Sequence, residues 1–163
     1  MLFRSVTVPG NDPYVITVGA INNKVTPGNT ADDEIPYWSG NGPTLDGFVK
    51  PDIVAPGTNV ISLVDSNAKL RQDYPQFELG DRFFRMHVTS MATAAASGVV
   101  ALMLQNDPTL TPNQVNQVKH RLVVSAQSAL DSQGEPSFNV FQQGSGRLWA
   151  RSEERRVGKE CRS

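Results

Sequence analysis

The stretch Thr89-Ser90-Met91-Ala92-Thr93-Ala94-Ala95-Ala96-Ser97-Gly98-Val99-Val100-Ala101-Leu102-Met103-Leu104-Gln105 decides how the rest of the chain is arranged. From Met91 to Leu104 small and apolar residues stand on every side of a helical projection, relieved only by Thr93, Ser97 and Gly98. A helix without a solvated face belongs in an interior, so residues 89–105 are expected to form a central, buried helix. Ala92, Ala94, Ala95, Ala96, Ser97 and Gly98 let neighbouring backbone approach its first turns. Asn106-Asp107-Pro108 ends it, because proline cannot continue a helix. Thr111-Pro112 opens another, with Thr111 as N-cap and Pro112 at the first helical position. Val115, Val118, Leu122 and Val123 then recur at helical spacing, which predicts an amphipathic helix on the outside of the core.

Working outward toward the amino end, residues 14–20 are β-branched and apolar. They follow the turn-forming Gly10-Asn11-Asp12-Pro13 and read as a buried strand. Residues 50–57 hold a short internal strand closed by Pro56-Gly57, and residues 60–64 a second strand. Residues 22–29 read as a polar turn, 35–43 as an irregular loop, and 65–85 as a surface excursion. A chain of 163 residues with 39% hydrophobic content, 13 Gly and 11 Pro suits one loop-rich α/β domain, small for an enzyme built on a large sheet. No apolar run reaches the roughly 18 residues of a membrane helix, so no membrane partner is expected.

The last thirteen residues, 151–163, are charge-dense and hold the only cysteine, Cys161. They match the in-frame translation of a sequencing adaptor and read as a non-native tail, which leaves residues 1–150 as the domain. Those 150 residues carry ten basic and thirteen acidic side chains, a net charge of −3, with no basic footprint for nucleic acid. Without a cysteine they also exclude disulfide scaffolds, thiol catalysis and cysteine-ligated zinc. Met1-Leu2-Phe3-Arg4 leads at once into strand-like sequence, without the shape of a secretory signal.

Ser90 stands at the start of the interior helix, where unpaired amides and a partial positive charge would stabilise a forming oxyanion. That placement suits a nucleophile. The competing reading is that Thr89 or Ser90 merely caps the helix. Val88-Thr89-Ser90-Met91-Ala92-Thr93 resembles the nucleophile motif Gly-Thr-Ser-Met-Ala-Thr/Ser of the subtilases. Four further blocks are similar to that family and follow in its order: residues 9–20, 42–47, 50–57 and Gly144-Ser145-Gly146-Arg147-Leu148.

The resemblance implies a three-layer, subtilisin-like α/β fold with a mainly parallel sheet, truncated on its N-terminal side. It also implies peptide-bond hydrolysis through an acyl-enzyme on Ser90, whose own amide helps to hold the oxyanion. Thr7 and Thr89 would contact substrate, Thr7 near the base of the pocket for the side chain preceding the cleaved bond, and Val8-Pro9 is a candidate cis peptide. The partner is then a peptide or protein substrate. No cofactor is required, calcium would serve stability only, and the family points to a secreted protein. The chain departs from the family pattern in several ways. The family's catalytic Asp and His and its oxyanion Asn lie upstream of everything present. Only His87 and His120 are available, the first too near Ser90 in sequence and the second read as a solvated surface residue. Val88 replaces a glycine, and Ala94-Ala95 replace Pro-His. Two readings follow: a piece of an active endopeptidase that is inactive alone, or a catalytically dead subtilase-like domain with a binding or structural role. A lipase-type hydrolase is disfavoured, because no Gly-x-Ser-x-Gly surrounds Ser90. A truncated parallel sheet with an open edge is expected to make the chain aggregate.

Overall fold

The structure, a computed structural model, describes residues 5–26, 28–111 and 114–150. Its elements are β1 (Val18–Ile21), β2 (Ile53–Pro56), β3 (Val60–Leu63), α1 (Lys69–Asp73), β4 (Glu78–Leu79), β5 (Phe83–Met86), α2 (Thr89–Asn106), α3 (Val115–Ser125) and α4 (Val140–Gln143). Strands β1 and β2 pair in parallel, from Val18 opposite Ile53 to Ile21 opposite Pro56. Alternation along them sends Ala20 and Ala55 toward Ala92 of α2, and Ile53 toward Ala96 and the α3 residues Val118 and Leu122. Ile21 and Val54 point the other way, onto Ala129, Ile35 and Phe138. The result is three layers: helices, a narrow parallel sheet, and a layer of loops. Beyond β2 the Gly144–Leu148 turn continues the sheet, the Val54 amide donating to Gly146 (2.9 Å) and Leu148 to the Val54 carbonyl (2.7 Å).

The first strand begins four residues later than residues 14–20 suggest. Its opening stretch spends its hydrogen bonds on side chains and loops instead of a ladder. Asp12 accepts from the Tyr14 amide (2.7 Å), Asp52 from the Thr17 amide (2.7 Å), and the Thr17 hydroxyl donates to the Gly10 carbonyl (2.6 Å). Around Asp52 an ion cluster closes this end of the sheet. Lys50, 1% exposed, and Lys119 each place Nζ 2.9 Å from a different Asp52 carboxylate oxygen. Lys119 also donates to the carbonyls of Pro13 and Val15 (2.7 and 2.8 Å), which ties α3 to the approach to β1. On the loop side Arg147 reaches the buried Asp33 at 3.1 Å and joins the turn after α4 to the loop after β1.

Residues 65–85 lie at the surface as expected, with Phe84 alone buried, and form an ordered unit there. Strands β3, β5 and β4 make an antiparallel ribbon, with Val60 opposite Met86, Leu63 opposite Phe83 and Glu78 opposite Phe84. The ribbon buries Phe84 (2% exposed) edge-on to Phe77 of the short 3-10 turn Pro75–Phe77, and Arg71 of α1 pairs with Glu78 at 2.9 Å.

Helix α2 spans the predicted stretch but is not enclosed. Ala92, Ala96 and Met103 are buried, whereas Ala94, Ala95, Ser97, Gly98 and Ala101 are exposed and Leu102 is 55% exposed. One side of the helix takes β1, β2 and α3, and no described element lies against the other. Helix α3 buries Val118, Leu122 and Ser125 as an amphipathic helix should, but starts at Val115. Thr111 donates its amide to Gln114 Oε1 (3.2 Å), and Pro112 lies outside the described residues. Helix α4, unanticipated, is set by a capping box between Asn139 and Gln142.

Candidate functional site

Parallel strands present their carboxyl ends to one edge, and a helix that returns antiparallel to them brings its amino end to that same edge. The small residues of this chain make the approach close. A Cβ at Gly57, just past β2, would lie 2.7 Å from the Ala20 Cβ and 3.1 Å from the Val88 carbonyl oxygen. Only glycine therefore lets the start of α2 settle over β1 and β2. Ala20, Ala55 and Ala92 fill the space beneath it.

Ser90, the second residue of α2, is exposed at this edge. Capping does not account for it. The N-cap residue is Val88, which has no side-chain acceptor, and no side chain makes a capping hydrogen bond. Among the described residues the Ser90 hydroxyl has no hydrogen-bond partner. The amides of Thr89 and Ser90 precede the first intrahelical bonds and stand unpaired, and the first turn holds no acidic residue to offset the helix dipole. The site thus joins a free hydroxyl to oriented N–H donors, the pairing that stabilises a tetrahedral oxyanion formed on that oxygen. Val88, in place of the family's glycine, has φ −150° and ψ 155°, extended angles that a β-branched residue favours, so it brings bulk without backbone strain.

No hydrogen bond joins either histidine to Ser90 among the described residues. His87 accepts the Asn59 amide at Nδ1 (3.2 Å) and lies edge-on to Phe77 at 6.0 Å. That bond leaves the proton of the neutral ring on Nε2. His120 is exposed on α3. Thr7 is exposed in a turn in which its carbonyl accepts from the Asn11 amide (3.2 Å), and no hydrogen bond joins it to Ser90; Val8–Pro9 is cis. Thr89 is partly buried, and its carbonyl accepts from the Thr93 hydroxyl (3.0 Å). Among the described residues no three His, Cys, Asp or Glu side chains gather around one point that could hold a metal. No described helix is long and apolar enough to cross a membrane. An apolar cavity of about 420 Å³, lined by Ile16, Val100, Leu104, Leu110, Thr111, Val115 and Val118, sits at the opposite end of α2 from Ser90 and plays no part in the site.

Sequence reasoning passed over the rim of this edge. The Thr58 hydroxyl donates to Asn22 (2.8 Å), and Asn59, with φ 54°, turns its amide toward His87. The glycine of Ala55-Pro56-Gly57, between two strands, is the signal that could have disclosed it.

The sequence model of the Subtilase family matches residues 2–146. Serine protease AprX of Bacillus subtilis is 40% identical over 115 residues, 71% of this chain and 26% of that protein. Subtilisin-like protease SBT3.9 of Arabidopsis thaliana is 30% identical over 125 residues, 76% of this chain and 15% of that one. The CspB protease of Clostridium perfringens superposes with a TM-score of 0.66 at 23% identity, covering 94% of this chain and 29% of that structure. The patellamide maturation protease PatA superposes at 0.61 and 23% identity, over 93% of this chain and 46% of that structure. The fold is therefore the subtilisin-like α/β fold, and the chain spans only part of the length of each of these proteins.

Proposed function

Because the chain belongs to the subtilase family of serine peptidases, we propose that it carries the nucleophile and part of the oxyanion site of an endopeptidase acting on peptide or protein substrates. The observation behind this reading is the exposed, unpartnered Ser90 hydroxyl at the amino end of α2. Ser90 Oγ attacks the scissile carbonyl, and the Ser90 amide donates to the oxyanion. Collapse of the tetrahedral intermediate expels the amine and leaves an acyl-enzyme, which water then hydrolyses. Thr7 and Thr89 serve substrate binding. The proton of Ser90 needs a histidine base with its carboxylate partner, and His87 and His120 do not fit that role. Both groups come from elsewhere in the polypeptide, so residues 1–163 alone are inactive. In subtilisin itself, loss of the histidine lowers turnover about 10⁶-fold.

The test is labelling by a fluorophosphonate probe. The native protease containing this stretch should label at Ser90, and Ser90→Ala should abolish the label. The 163-residue chain alone should neither label nor cleave casein, and a Ser90-dependent rate from it would overturn the need for an outside base. Val88 supports a second reading, a catalytically dead domain. Failure of the native protein to label despite an intact histidine and aspartate would select that reading.

A further inference from the structure

The antiparallel ribbon carries a face that the catalytic reading does not use. Residues paired across an antiparallel ladder share a face, so Ile61 with Arg85, and Leu63 and Leu79 with Phe83, stand together on one side. The opposite side is where Phe84 is buried beside Phe77. The outward side should by rights be polar. Instead Ile61, Leu63 and Phe83 are 54%, 64% and 48% exposed, an apolar strip interrupted by one cation, Arg85, which has no ion-pair partner among the described residues. Strand β5 leads straight from this strip into the start of α2. Arg85 precedes Ser90 by five residues, at most about 17 Å along an extended chain.

We infer that this face is an accessory binding surface for the polypeptide that Ser90 attacks. An extended segment of the substrate, apolar at alternate positions and bearing a carboxylate about five residues from the scissile bond, lies over Ile61, Leu63 and Phe83 and meets Arg85. The inference rests on the reading of Ser90 as nucleophile and extends it to substrate preference. Three features support this occupant: its continuity with the nucleophile, the period-2 spacing of the strip, which matches an extended chain, and the unpaired guanidinium, which calls for an anionic side chain.

The 163-residue chain, immobilised at low density on a biosensor, is titrated with a synthetic decapeptide that alternates leucine or valine with serine and carries one glutamate, and with the same peptide bearing glutamine. Saturable binding is expected, with the glutamate peptide tighter. Phe83→Ser should weaken both peptides by roughly tenfold, whereas Arg85→Gln should erase the preference for glutamate and leave the glutamine peptide unaffected. Circular dichroism of each variant reports whether it folds, and Leu63→Ser provides a second apolar probe. Absence of saturable binding by the folded chain would overturn the inference, as would binding indifferent to these substitutions, or oligomers of the chain that Phe83→Ser and Leu63→Ser dissociate, which would assign the face to a second copy. Fluorophosphonate labelling of the native protease separates the two claims. Labelling without peptide binding removes only the accessory face, and peptide binding without labelling removes the substrate role of both.

Discussion

At Asp52 a single carboxylate holds two ammonium groups in a nearly dry setting, and burial pushes the Lys50 pKa below its ordinary value despite the Asp52 hydrogen bond. Removing the acid leaves both cations without a counter-charge, which costs more than the pair contributes. Asp52→Ala should therefore lower stability by about 3 kcal/mol or more in urea titration, and Lys50→Met, which removes a buried charge while keeping the stem, should cost far less. Gly57 is the matching steric case. The methyl of Gly57→Ala would fall 2.7 Å from the Ala20 Cβ and 3.1 Å from the Val88 carbonyl oxygen, so β1 and the entry to α2 must give way. The variant should lose about 1–3 kcal/mol, and in the native protease Ser90 should label more slowly.

Between elements, the join of α2 to α3 runs through Asp107. The Thr109 hydroxyl, and then the Arg121 guanidinium at 2.8 Å, hold its carboxyl below the ordinary value of 3.8. The folded state thus binds this proton less readily than the unfolded chain. The stabilisation is full above the ordinary value and is lost as pH falls through the lower folded value. Asp107→Asn should flatten the fall of the melting temperature with acid below about pH 4 and leave the neutral-pH slope unchanged. The elements themselves were unevenly legible. Helix α2 and strand β2 follow from uninterrupted apolar runs, whereas β1 starts late because Asp12 and Asp52 capture the amides of Tyr14 and Thr17. Residues 65–85 look polar and irregular because the ribbon buries one side chain, Phe84, and its partners are strands distant along the chain. Helix α4 is a single turn, too short to show a period.

For the whole molecule, the open side of α2 matters most. Ala94, Ala95, Gly98, Ala101 and Leu102 face outward, and among the described residues β1 has a strand partner on one side only, its Ala20 amide donating on the other side to Ser39 Oγ (3.0 Å). An apolar helix face beside an unpaired edge favours self-association. The isolated chain should bind anilinonaphthalene sulfonate and sediment as concentration-dependent oligomers. A monomeric, cooperative melt without dye binding would contradict this.

Local pattern alone determined the family and the two elements that hold Ser90, because a run of small apolar residues after Thr89-Ser90 and a Pro-Gly stop after a β-branched strand are properties of neighbouring residues. What packs against α2, that Lys119 joins Lys50 at Asp52, that Asp33 meets Arg147 and that the ribbon shows an apolar face were decided only in three dimensions. Each depends on contacts between residues tens of positions apart, and a period in one segment carries no information about what another segment brings against it.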